Sequence, residues 1–292
     1  MPKTKRRLGD RRDGTLLRDL DSLHFIMGVI YPNRADNEAY ISQRIDLEPI
    51  KAYIAKKNAE ESDFPYTFFH VIVAALLKTV TLRPKLNRFI ANENYYQRTE
   101  LSAAFVVKKE FTDTSEEGLA FVRVKEDDTL SSIHENIRSQ VKLHRSKGGS
   151  NSTGDSMDLF NKMPRFLAKA IIHVVRWLDK RGRVPKALVA DDPNYSSVFL
   201  TNLGSIKLKS GYHHLTNWGT NSLFVVIGEK KWTPLYDQNG FVKMRETLDL
   251  GLTVDERIAD GYYYSKSIRL LTHLLEHPEL LEQPLNTPVD YQ

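Results

Sequence analysis

Apolar and polar positions alternate along Ala39-Tyr40-Ile41-Ser42-Gln43-Arg44-Ile45-Asp46-Leu47, which predicts a half-buried strand, and the run from Glu48 to Lys57 reads as a helix after it. Pro65 opens the next helix. Its body, Phe68 to Lys78, is apolar nearly all round and so belongs in the interior. Pro84 stops it and biases Arg83 out of the helical region. Leu101 to Val107 and Leu119 to Val124 read as two strands, joined by an acidic turn with Asp113, Glu116, Glu117 and Gly118. Asp127-Asp128-Thr129 caps a helix over Leu130 to His144. The C-terminal third is rich in strands: Ser197 to Gly204 with its turn, Ser222 to Gly228, Phe241 to Met244 and Thr247 to Val254. A closing helix runs from Tyr262 to Leu275 and ends at His277-Pro278. The first apolar run, Leu23 to Ile30, is broken by His24 and follows a charged stretch, so it reads as core and not as a signal peptide.

Between these halves lies a loop by composition, residues 146–156, followed by an unusual helix. Arg165, Lys169, His173, Arg176 and Lys180 step by four, four, three and four and share one face, while apolar residues cover the rest until Gly182 and Pro185. The face is either a solvated basic rim, a surface for an anionic membrane, or part of a lid over an apolar tunnel.

Composition narrows the classes. At 292 residues the chain is long enough for one large domain or two small ones, and 41% hydrophobic and 27% charged positions are ordinary for a soluble globular protein. It has no cysteine, which excludes disulfides, thiolate metal ligands and a cysteine nucleophile and fits a reducing cytosol. No stretch reaches the ~18 apolar residues of a membrane span. A cytoplasmic protein is expected, membrane-peripheral if residues 163–181 meet lipid. Net charge is +5, and Lys3, Lys5, Arg6, Arg7, Arg11 and Arg12 concentrate it at the start. Residues 1–20 are therefore taken as a basic arm, solvated or pairing with phosphates, ahead of a single domain over 21–292 with an insertion at about 145–190. No nucleic-acid motif accompanies the charge, and no histidine spacing suits a metal, so neither partner is expected.

Three separated motifs occur in one order: Arg83-Pro84-Lys85-Leu86-Asn87 after the buried helix; Phe199-Leu200-Thr201-Asn202-Leu203-Gly204 with the Ser222–Gly228 strand; and Leu250 through Gly261 with Leu274-Leu275-Glu276-His277-Pro278 beyond. Together they resemble the chloramphenicol-acetyltransferase-like superfamily, nearest to the catalytic domain of the acyltransferase component of 2-oxo-acid dehydrogenase complexes. The resemblance spans residues 20–282 and is weakest at 145–190. It implies an α/β fold with a mixed, mainly antiparallel sheet and packed helices. It also implies a homotrimer with channels between subunits, a coenzyme A thioester as co-substrate and a small-molecule acceptor. The chain leaves no room for lipoyl and subunit-binding domains and shows no lipoyl-lysine hairpin, so a stand-alone enzyme without a lipoyl group is expected.

The same resemblance assigns roles. A family histidine, four residues before Asp-Gly, acts as general base; here Glu256 holds that position. Thr201 aligns with the hydroxyl that donates to the tetrahedral oxyanion, with Asn202 beside it. Asp260 aligns with the aspartate that holds the catalytic turn through an ion pair, Arg257 is a salt-bridge partner of the same kind, and Gly261 supplies a small residue where strand meets helix. An ordinary glutamate titrates at about 4.3 against about 6.5 for histidine. Burial in an apolar channel raises it enough to serve as a base. A carboxylate there repels a thiolate and favours a cationic amine acceptor. The alternative is an inactive relative, acting as ligand-binding or scaffold protein, in which Glu256 only forms an ion pair. His213 and His214, in a segment that runs near the family's channel, are either replacement bases or turn residues.

Overall fold

The computed structural model describes residues 6–59, 63–108, 117–145 and 163–291. The turn predicted around Asp113 and Glu116 and the loop at 146–156 lie outside the described residues. In chain order the elements are β1 (Gly14–Leu16), α1 (Ser22–Ile30), β2 (Glu38–Asp46), α2 (Glu48–Asn58), α3 (Phe68–Leu82), β3 (Arg88–Ala91), β4 (Asn94–Arg98), β5 (Leu101–Lys108), β6 (Glu117–Val124), α4 (Leu130–Arg145), α5 (Arg165–Lys180), α6 (Lys186–Val189), β7 (Val198–Asn202), β8 (Leu223–Ile227), β9 (Lys231–Tyr236), β10 (Val242–Asp255) and α7 (Gly261–Glu276).

The main sheet has seven strands in the order β2-β10-β8-β7-β5-β6, with β9 pairing to β10 beside β8. Only the β5–β7 and β7–β8 pairs are parallel; the remaining pairs are antiparallel. A small sheet, β1-β4-β3, stands apart. The two faces of the main sheet differ. Val198, Leu200, Val225, Leu250 and Leu252 point into the large core, where α3 packs with α4 and α7. The alternate residues Phe199, Phe224 and Val226 meet Leu215 and Leu203 in a small cluster on the other side. Thr201 has the parity of Phe199 and lies on this second face.

α3 is interior as its composition predicts. Thr67 and His70 form a reciprocal capping box at its start. The one cation on it, Lys78, is fully buried and donates to the carbonyls of Pro284 (2.7 Å) and Gln283 (3.4 Å), so the helix clasps the C-terminal segment. Burial pulls its pKa below the usual lysine range.

Leu23–Ile30 is not core: α1 buries only Gly28, and Leu23, Phe25 and Ile30 are each more than 60% exposed. Arg11 is not part of a solvated arm. It is buried, bonded bidentately to Asp13 (2.8 and 2.9 Å), and donates to the Asp179 carbonyl at the end of α5 (2.6 Å). The two predicted strands at 241–254 are one, β10, because Arg245 and Glu246 in its middle are paired with Asp46, Glu48, Lys51 and Lys230 along the rim. β3 and β4 join through Asn92 and Glu93, both at positive φ, a tight hairpin turn built without glycine and hence without its usual signal.

Candidate functional site

The turn after β10 is held by a dense network of buried charges and hydrogen bonds. Asp255, Arg257, Ile258 and Ala259 are buried, whereas Glu256 between them is exposed. Arg257 grips Asp255 through Nε–Oδ1 (2.8 Å) and Nη2–Oδ2 (2.7 Å) and donates Nη1 to the Tyr31 carbonyl (2.5 Å). Arg34 approaches the same carboxylate at 3.7 Å and donates to the carbonyls of Thr216 (2.7 Å) and Gly219 (3.1 Å). Burial pulls the pKa of Arg34 down to about 10, with Asp255 opposing the shift, so it remains a cation at neutral pH. The Asp255 carbonyl accepts from the Tyr264 hydroxyl (2.7 Å), and the Glu256 amide donates to the Asn37 carbonyl (3.0 Å). Every neighbour is tied down, and the Glu256 side chain points outward.

Asp260 serves the turn differently from the expected ion pair. Its Oδ1 caps α7 by accepting from the Tyr263 amide (2.8 Å), a bond that also holds the carboxyl below the usual aspartate range. The ion pair of the turn is Asp255–Arg257. Gly261 has an ordinary negative φ, and a Cβ there would meet nothing within 4 Å, so no contact among the described residues requires glycine.

The other predicted residues sit elsewhere on the sheet. Thr201 pairs with Val226, and Val226 with Gly251, so Thr201 lies on the row of Gly251. Glu256 is five residues farther along β10 and two strands over. At about 3.3 Å per residue this is about 16 Å along the sheet before the lateral distance is added. Within one chain Thr201 and Glu256 do not come together. Asn202 accepts from the Ser205 amide (3.2 Å) and starts the 3-10 turn Leu203–Ile206.

Residues 207–222 cross the second face between these two rows. Gly211 lies over Gly251, where an added Cβ would stand 1.9 Å from the Gly211 oxygen. His213 stacks flat on Phe224 (4.2 Å, 8°) and beside His214 (4.6 Å). Leu215 then donates its amide to Glu38, whose other oxygen accepts from the Tyr40 hydroxyl (2.6 Å). His213 thus occupies the span between the Thr201 row and the Glu256 turn, whereas His214 contacts His213. His213 Nδ1 is 2.9 Å from the His214 carbonyl, which needs a donor and so leaves Nε2 with its lone pair when the ring is neutral.

Sequence reasoning missed Arg34, Glu38, Asp255 and Gly251. Only Gly251 carried a signal, a lone glycine inside a strand pattern, which marks close backbone approach. Gly251→Ala is expected to displace the loop bearing His213 and to cost about 1–3 kcal/mol in urea unfolding; an unchanged midpoint would show that the loop is not seated there.

The arrangement of sheet and helices is the chloramphenicol-acetyltransferase-like fold. Among similar solved structures, a probable dihydrolipoamide acetyltransferase from Listeria monocytogenes superposes at TM-score 0.59 with 11% identity, over 89% of this chain and 94% of that one. Azotobacter vinelandii dihydrolipoamide acetyltransferase gives 0.59 and 13%, over 91% and 94%. A chloramphenicol acetyltransferase gives 0.55 and 10%, over 90% and 99%. No protein-family model and no curated protein matches the chain.

Proposed function

We propose that the chain is an acyltransferase that moves an acyl group from a coenzyme A thioester to a small acceptor, in channels between the subunits of a homotrimer. The observation that carries this reading is the exposed, rigidly presented Glu256, set on a row far from Thr201. Two groups that cannot meet in one chain are brought together when the turn of one subunit faces the β7 end of the next. The exposed apolar side of α1 is a surface that such an assembly would cover. Three solved structures that share the fold are described as acetyltransferases, and another as the cubic core of a pyruvate dehydrogenase multienzyme complex. In the Azotobacter enzyme, the histidine and asparagine investigated for catalysis stand four residues apart, the spacing of Glu256 and Asp260.

In the proposed reaction, the Glu256 carboxylate takes the proton from the acceptor nucleophile as it attacks the thioester carbonyl. The Thr201 hydroxyl of the neighbouring subunit donates to the oxyanion of the tetrahedral intermediate. Collapse breaks the carbon–sulfur bond, and the departing coenzyme A thiolate receives the proton from Glu256. Asp260 holds the turn through its helix cap. A negative base favours an amine acceptor over a thiol. A second reading, supported by the Nδ1 contact that leaves Nε2 free, makes His213 the base.

The test is release of coenzyme A thiol from acetyl- and longer acyl-coenzyme A with alcohol, amine and thiol acceptors. Wild type turns over, and Thr201→Val lowers kcat about a hundredfold with little change in KM. Turnover unaffected by Thr201→Val removes it from the site. Silence of the wild type with every acceptor moves the assignment to a non-catalytic binding protein.

A further inference from the structure

The geometry points to α5 as a preformed docking surface for an anionic lipid bilayer. The helix divides into three sectors. Ala168, Ile171, Val175 and Leu178 are half-buried, and Asp179 is buried, accepting from the Tyr195 hydroxyl (2.5 Å) while Arg11 holds its carbonyl (2.6 Å). The second sector is an exposed apolar stripe, Phe166, Ala170, Val174 and Trp177, with Phe166 77% and Trp177 47% exposed. The third, adjoining it, carries Arg165, Lys169, His173, Arg176 and Lys180, all exposed. Among the described residues no carboxylate forms an ion pair with Arg165, Lys169, Arg176 or Lys180.

This juxtaposition selects the partner. An interfacial helix sinks large apolar side chains below the headgroups and leaves its cations level with the phosphates, which requires the two stripes to be contiguous. Trp177 and Phe166 occur on the apolar stripe, the residue types suited to that boundary. A second copy fits poorly, because the same face repeated across a twofold would oppose cation to cation on a chain of net charge +5. No helix among the described residues is long and apolar enough to cross a membrane, so the contact is peripheral. The helix is already folded and fastened to the body by Asp179, so docking does not pay for its ordering.

The experiment is co-sedimentation of the full chain with phosphatidylcholine vesicles, with and without phosphatidylglycerol, at low and high salt. Trp177→Phe serves as the control that assigns the fluorescence change. Wild type binds the phosphatidylglycerol vesicles, loses binding at high salt, and shows a blue shift that Trp177→Phe removes. Arg165→Gln/Lys169→Gln/Arg176→Gln is expected to lower partitioning about a hundredfold, from roughly a factor of five per basic residue. These side chains are exposed, and circular dichroism verifies that the variant is folded. Equal binding to neutral vesicles, or binding indifferent to the triple substitution, overturns the proposal. So does absence of vesicle binding combined with a Trp177→Asp chain that changes its oligomeric state, which would make the face a contact between copies. None of these readouts depends on acyl transfer.

Discussion

Asp255→Ala is expected to lose about 3–5 kcal/mol of folding stability, the most of any single substitution outside the main core. Its carboxylate is fully buried and stands between two guanidiniums, Arg257 at 1% and Arg34 at 4% exposure. Removing one partner from a buried pair leaves uncompensated charge, which costs about 3–5 kcal/mol. Here two cations are left. Against a total stability of about 5–15 kcal/mol, such a loss brings the chain near its unfolding threshold. Arg34 also holds the carbonyls of Thr216 and Gly219, so the loop over the second face loosens together with the Glu256 turn. Urea unfolding of wild type, Asp255→Asn and Asp255→Ala measures this. Asparagine keeps the shape but not the charge, and it is expected to recover only a minor part. A loss below about 1 kcal/mol for alanine would mean that the cluster contributes little.

Glu256→Gln is expected to leave stability within about 0.5 kcal/mol of wild type, since the side chain is exposed and its amide bond to Asn37 does not depend on it. Its effect falls on the reaction. Glutamine is the same shape but cannot accept the proton, and loss of a general base costs about a factor of 10²–10⁴. KM for the acyl donor should change little, because the group acts on the acceptor. Glu256→His is expected to retain turnover and to shift the acceptor preference from amines toward thiols, since a neutral ring does not repel a thiolate. Steady-state rates for the three chains with paired amine and thiol acceptors decide this. A Glu256→Gln chain as active as wild type would remove Glu256 from the chemistry, and a further loss in His213→Gln would then identify that histidine as the base.

Much of the fold could be read from the chain because its strands carry a plain pattern, alternation in β2 and an unbroken apolar run in β8. β2 and the pair β7 and β8 fall within a few residues of the positions that pattern predicts, and α3 is as buried as its composition demands. The elements that escaped notice lack local signals. The β3–β4 hairpin turns at Asn92-Glu93 without a glycine, and β9 contains Pro234, which is tolerated because β9 pairs only with β10. α1 shows the limit of the hydrophobic rule. An apolar run predicts burial but not against which chain, and Phe25 and Ile26 face outward here. The turn bearing Glu256 was visible through its resemblance. The guanidinium of Arg34 was not, because its partner is more than two hundred residues away in sequence. Nor could periodicity alone show that Thr201 and Glu256 lie on rows about 16 Å apart, since that depends on the register of β7, β8 and β10.

A site shared between subunits can be rebuilt by mixing two inactive chains. Glu256→Gln and Thr201→Val proteins are unfolded together in equal amounts and refolded, and thiol release is compared with that of each variant refolded alone. If each site takes Glu256 from one subunit and Thr201 from its neighbour, random reassembly restores about a quarter of the sites, and activity rises to about a quarter of wild type. If activity stays at the level of the separate variants while mixed oligomers form, the two residues do not build a common site across the interface, and the proposed channel is wrong.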